Sequence, residues 1–122
     1  MEHEDFATYE QAQQLKELGF DWECQGAYLE ASNEFKLYRT MTNKDWNEDV
    51  FDFSTLAPTM SQVQKWLREE KGIDVIVLRY DNDYDYKVYS KDMVSVTEEL
   101  FDSYEKALSA GIDEALEIIK NK

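Results

Sequence analysis

The chain has 122 residues, with 13 Lys and Arg against 27 Asp and Glu, a net charge of −14. Such a surface repels phosphate backbones and anionic lipid, which argues against direct nucleic-acid binding and against membrane-surface binding. The length predicts a single domain, 1–122, able to bury about two-thirds of its unfolded surface without a disulfide or metal staple. Aromatic residues make up 14% of the chain, which disordered segments lack. Cys24 is the one cysteine, so no intrachain disulfide forms. The opening residues Met1-Glu2-His3-Glu4-Asp5 have no apolar core, and no apolar run approaches a membrane span. A reducing, cytoplasmic setting is the expectation.

Thr8-Tyr9-Glu10-Gln11 reads as a capping box, and Gly19 as the left-handed stop after it, so the first helix is expected over Tyr9–Leu18 with Ala12, Leu15 and Leu18 on one side. Gly26–Ala31 and Glu34–Arg39 flank the polar Ser32-Asn33 and predict a hairpin in which Phe35 and Leu37 share one face. Thr40–Ala57 is the least patterned stretch, with a short edge strand expected over Val50–Phe53. Pro58 holds Ala57 extended and separates this loop from the next helix.

Thr59-Met60-Ser61-Gln62 is a second capping box, and Gly72 a second stop. Between them, Met60, Val63, Trp66 and Leu67 form an apolar stripe over a helix Met60–Glu70. Val75–Leu78 is apolar at every position, which predicts a central strand covered on both faces. Asp81-Asn82-Asp83 is a turn, Tyr84–Tyr89 alternates and pairs back, and Met93–Val96 is one more short strand. Ser103 opens a last helix, Tyr104–Ile119, with Leu108, Ile112, Ala115, Leu116 and Ile119 inward. Gly111 in its middle costs about 1 kcal/mol against Ala, so close packing on a sheet is expected there.

The order is α-β-β-(β)-α-β-β-(β)-α. It predicts an α+β fold, an antiparallel sheet of about four to six strands with three helices. The repeated helix caps suggest two weakly related halves, 1–57 and 58–122.

Chemistry-bearing patterns are sparse. Cys24 and any Ser-based triad would both depend on His3, the sole histidine, in a terminal tail; Cys24 reads instead as a small buried hydrophobe. One Cys and one His do not make a zinc site, and the isolated glycines form no phosphate loop. Asp81, Asp83, Asp85 and Asp92 fall at positions one, three, five and twelve of a calcium loop. Tyr86 stands where that loop needs Gly, Asp92 where it needs a bidentate Glu, and the flanks read as strands, so a turn with solvated carboxylates is favoured over a calcium site. No catalytic residue and no cofactor is assigned. The interface candidates are the aromatics set among acids, Trp46, Phe51 and Phe53, and the hairpin tyrosines Tyr84, Tyr86 and Tyr89; core packing is the competing reading for both groups.

Ala57–Ile73, Phe101–Leu108, Gly111–Leu116 and the Leu-Gly-Phe-Asp word at Leu18–Asp21 together resemble a family of small uncharacterised proteins from anaerobic gut bacteria, their phages and mobile elements. The matched words are helix caps and core positions, so the resemblance implies a mobile-element context and no site. The functional expectation is a non-enzymatic accessory factor that binds another protein, one whose surface is basic being compatible with −14. Two alternatives stand beside it: a nucleic-acid mimic that occupies a basic groove, and a small enzyme working with carboxylates alone.

Overall fold

The computed structural model describes residues 5–29, 34–41, 53–97 and 99–121. In chain order these form α1 (Tyr9–Glu17), β1 (Cys24–Leu29), β2 (Phe35–Met41), β3 (Phe53–Ala57), α2 (Met60–Lys71), β4 (Asp74–Tyr80), β5 (Asp83–Tyr89), β6 (Val94–Val96) and α3 (Tyr104–Lys120). The fold is α+β with antiparallel pairing throughout. Among the described residues the strands do not join into the single expected sheet of four to six. The strands make two three-stranded sheets, ordered β2-β1-β3 and β4-β5-β6, and the chain groups into two compact units, Met1–Thr59 and Met60–Lys122. Among the described residues no helix is long and apolar enough to cross a membrane.

In the first unit, α1 starts as its sequence dictates. The Gln11 amide donates to the Thr8 hydroxyl at 3.1 Å, and the Thr8 amide donates to the Gln11 side-chain oxygen at 2.9 Å. Two orphan donors of the first turn are thereby satisfied, which explains why the fully buried Gln11 is tolerated. Gly19, at φ +90°, ends the helix: its amide donates to Lys16 O at 3.2 Å and the Phe20 amide to Leu15 O at 2.9 Å. This closes the turn and buries Phe20 and Leu15 together at the helix end. Ala12 and the aromatic rings of Tyr9, Tyr28 and Phe35 pack with Ala57, Tyr28 and Phe35 standing 5.4 Å apart between ring centroids. The Tyr28 hydroxyl, buried here, donates to Ala7 O at 2.7 Å. Of the strand expected at Val50–Phe53, positions 50–52 lie outside the described residues; β3 runs Phe53–Ala57 and pairs with β1. Pro58 terminates it, and its carbonyl accepts from the Ala7 amide at 2.8 Å.

In the second unit, α2 buries Met60, Val63, Trp66 and Leu67, and α3 buries Ala107, Leu108, Gly111, Ile112, Ala115 and Leu116. Ile119, expected inward, is half-buried. Ser103 caps α3 by accepting from the Lys106 amide at 3.1 Å. The sheet is a meander in which β5 is central. Val75 and Val88 face each other in the register and are fully buried, while the Ser95 hydroxyl donates to Glu114 of α3 at 2.6 Å. Helix α3 therefore lies on the side of the sheet that carries Val75, Val77, Tyr86, Val88 and Ser95.

Candidate functional site

Strand β4 is not central. It is the edge of its sheet, paired with β5 alone among the described residues, although its sequence is apolar on both faces. Side chains alternate across the sheet, and the apolar β4 residues turned away from α3 stay exposed. Ile76 is 40% exposed, Leu78 38% and Tyr80 63%. Val94 and Val96 of β6 are exposed on the same face.

The register orders this outer face into rows: Asp74–Tyr89–Val94, Ile76–Lys87–Val96, Leu78–Asp85 and Tyr80–Asp83. On β5, Asp83, Asp85 and Lys87 thus line up beside the apolar residues of β4, while β6 flanks this face only at Lys87 and Tyr89. Oxygen Oδ1 of Asp85 is buried and has no hydrogen-bond partner among the described residues. A buried carboxylate oxygen left without a donor is costly in a folded protein.

The backbone of β4 is also open. The pair Tyr80–Asp83 closes a two-residue turn, with Asp81 in the left-handed region at φ 56°, and so exchanges both of its backbone bonds. Alternation down the ladder gives the same pattern to Leu78–Asp85, Ile76–Lys87 and Asp74–Tyr89. The N–H and C=O groups of Val75, Val77 and Arg79 therefore point away from β5. On the far side of β5 the ladder agrees: Tyr84 and Phe101 exchange bonds of 2.9 and 2.8 Å, and the Ser90 amide donates to Met93 O at 2.8 Å. Gln64 of α2 donates its side-chain N–H to Val75 O at 2.6 Å. The outward groups of Val77 and Arg79 meet no backbone partner among the described residues.

The residues singled out by sequence scatter. Trp46 and Phe51 lie outside the described residues. Phe53 opens β3, opposite Leu29. Tyr84 and Tyr86 are half-buried on the helix side, where Tyr84 meets Tyr104 with ring centroids 6.0 Å apart and Tyr86 meets Phe101 at 6.1 Å. Burial raises the Tyr86 hydroxyl above the usual phenol range, and the Glu114, Glu99 and Asp113 charges add to that while a hydrogen bond from Thr97 opposes it. Only Tyr89 shares the outer face.

Asp81 sits in the turn, Asp83 and Asp85 in β5, and Asp92 in the next turn, with strands on either side rather than the helices of a calcium loop. Among the described residues no three His, Cys, Asp or Glu side chains gather as a metal-holding group. Cys24 is buried, its thiol donating to Trp22 O at 3.4 Å, and burial pushes its pKa up to about 12. A thiol held protonated is a poor nucleophile.

Ile76, Leu78, Tyr80, Val94 and Val96 were not among the sequence candidates. The signal that finds them is connectivity: sequential strands joined by two-residue turns pair in order, which leaves the first of them at an edge.

No family model, no curated protein and no solved structure matches the chain.

Proposed function

We propose that this chain is a binding protein whose working surface is the outer face of the β4-β5-β6 sheet, and that its partner is a protein segment both apolar and basic. One observation carries the reading: an uncovered apolar sheet face in which Ile76, Leu78 and Tyr80 flank a line holding Asp83 and Asp85. Scattered exposed apolar residues are ordinary on a protein surface, whereas apolar side chains contiguous on one face mark interaction surfaces. The unpartnered Asp85 oxygen and the charge of −14 favour a cationic group in the arriving segment.

The resemblance carried by the helix caps favours a phage or mobile-element setting, and the reading proposed is a cytoplasmic accessory protein without catalysis of its own. The two units share a helix-then-three-strand order, but the first strand is central in one sheet and at the edge of the other, so the strand pairing does not repeat. Nucleic-acid mimicry is the weaker reading. The described acids are spread over α1, α2, β4, β5, α3 and the turns, and α2 intersperses its own with Lys65, Arg68 and Lys71. A mimic needs its charges in a row.

The test is selection of a random peptide display library on the immobilised protein, in parallel with a variant carrying Ile76→Ser, Leu78→Ser and Tyr80→Ser. Enrichment of net-basic, apolar sequences by the parent and their loss from the variant is expected. Absence of enrichment, or enrichment that the variant retains, overturns the proposal.

A further inference from the structure

We infer that the partner segment binds as an added strand along the open edge of β4, antiparallel to it, with an Arg or Lys placed over Leu78; the inference rests on the binding reading above and specifies its mode. The backbone supplies the first argument. Val77 and Arg79 turn their N–H and C=O groups outward, and a row of unpaired strand groups is a template for another extended chain. Edges that are meant to stay free are blunted with proline, a bulge or inward charge. Strand β4 runs seven residues with an unbroken register against β5, without proline or bulge, and its one helix-side charge, Arg79, is exposed near the strand's end. Among the described residues its one internal cover is the Gln64 bond to the Val75 carbonyl, which leaves that oxygen a second lone pair and gives Val77 and Arg79 no backbone partner.

Charge names the occupant. A strand laid beside β4 sets its alternate side chains next to Asp74, Ile76, Leu78 and Tyr80 on the outer face. Apolar residues suit Ile76 and Tyr80, and a base suits Asp74. Opposite Leu78 lies Asp85, one strand further in, with a buried oxygen that nothing among the described residues satisfies. A long basic side chain at that position covers Leu78 with its aliphatic stem and delivers its charged head to the Asp85 carboxylate. A second copy of this chain is a poorer occupant. Paired about a twofold axis at Val77, it would bring Ile76 against Leu78 and supply no base to Asp85, while setting two bodies of −14 side by side.

The probe is the peptide acetyl-KTVTRTVTK-amide, added to the full chain. Antiparallel pairing sets its arginine against Leu78, its valines against Ile76 and Tyr80, and its last lysine against Asp74. The expected result is that hydrogen exchange at the Val77 and Arg79 amides slows at least about tenfold at saturating probe. A probe N-methylated at its second, third and fourth threonines, those opposite Arg79, Val77 and Val75, and one with the arginine replaced by glutamate, are each expected to bind at least about tenfold more weakly. Arg79→Pro, at an exposed edge position whose N–H faces away from β5, is expected to keep the far-ultraviolet spectrum and lose the probe.

An N-methylated probe that binds as well as the parent overturns the strand mode, even where the Ile76, Leu78 and Tyr80 variant loses its selected peptides; the face would then stand without the edge. Protection of Val77 and Arg79 that needs no peptide and grows with protein concentration makes a second copy the occupant and overturns the inference equally.

Discussion

The thiol of Cys24 shows how one buried side chain writes itself into the behaviour of the whole chain. Its sulfur is enclosed beside the Trp22 carbonyl, and burial lifts its pKa from the usual 9.0 to about 12. In the unfolded chain the same thiol ionises near its ordinary value. A folded-state pKa above the unfolded one means that the unfolded state loses its proton first as pH rises. The stabilisation is therefore complete below pH 9 and is lost as pH climbs from there toward 12. The slope is about 1.4 kcal/mol per pH unit for one such group. Tyr28 follows from its usual 10.0 toward about 12, its hydroxyl desolvated and opposed by the Glu10 charge, so it steepens the loss only at higher pH. Urea unfolding at pH 8, 9 and 10 is expected to show a falling midpoint in the parent, with the drop between 9 and 10 largely absent from Cys24→Ala. Equal slopes in the two proteins would remove the thiol from the account.

At the scale of the element, α3 sets helix propensity against packing. Replacing a mid-helix Gly by Ala in isolation gains about 1 kcal/mol. At Gly111 a new Cβ would stand 2.6 Å from Val75 Cγ1 and 3.2 Å from the Tyr86 ring. Overpacking of that kind costs about 1–3 kcal/mol, and Val75, β-branched on a paired strand, has little rotamer freedom with which to withdraw. Gly111→Ala is expected to destabilise by roughly 1 kcal/mol on balance. In a Val75→Ala background, where the obstructing methyl is gone, the same substitution is expected to turn neutral or stabilising. Chemical denaturation of the four proteins of this cycle checks the coupling; a Gly111→Ala effect that ignores Val75 would refute it.

The same glycine marks how much the sequence disclosed. Position 111 was legible as a close approach because a glycine has no other reason to sit in a helix with that apolar stripe. The α1 boundaries were legible for the same kind of reason: Thr8, Gln11 and Gly19 act through bonds to residues at most a few positions away. The standing of β4 was not legible in this way. Val75–Leu78 reads identically as a doubly covered strand or an exposed edge, because coverage depends on what lies beside it, and neighbours in a sheet are not a local property. Read locally, the apolar run belongs at the centre of a sheet, and the face it exposes does not show. The tyrosines drew attention for their chemistry, yet β5 turns Tyr84 and Tyr86 toward α3 and only Tyr89 outward. Asp83 and Asp85, candidate metal ligands by spacing, gain their interest as carboxylates set beside Leu78 and Tyr80 of β4.

For the whole molecule the dominant quantity is −14, and salt separates its two consequences. Like charges on a compact body repel, and unfolding spreads them apart, so the folded state bears an electrostatic cost that the open chain largely escapes. Chloride salt shortens the Debye length from about 14 Å at 0.05 M to about 4 Å at 0.5 M and relieves that repulsion. Thermal stability is expected to rise over this range by on the order of 1 kcal/mol, a shift of roughly 4 °C. Sodium chloride is the right salt, because sulfate would stabilise by exclusion from the surface whatever the charge. A basic segment on the β4 edge responds in the opposite sense: screening weakens the attraction between its cationic side chains and Asp74 and Asp85, so its affinity falls as the fold grows more stable. Scanning fluorimetry and a binding titration of the arginine probe in the same salt series give the two slopes. Opposite signs are the signature of a surface whose acidity serves a cationic partner at the expense of the fold. A stability that is flat in salt would mean that the interspersed Lys and Arg neutralise the acids locally. An affinity that is flat in salt would leave the apolar rows of Ile76, Leu78 and Tyr80 to hold the partner without help from charge.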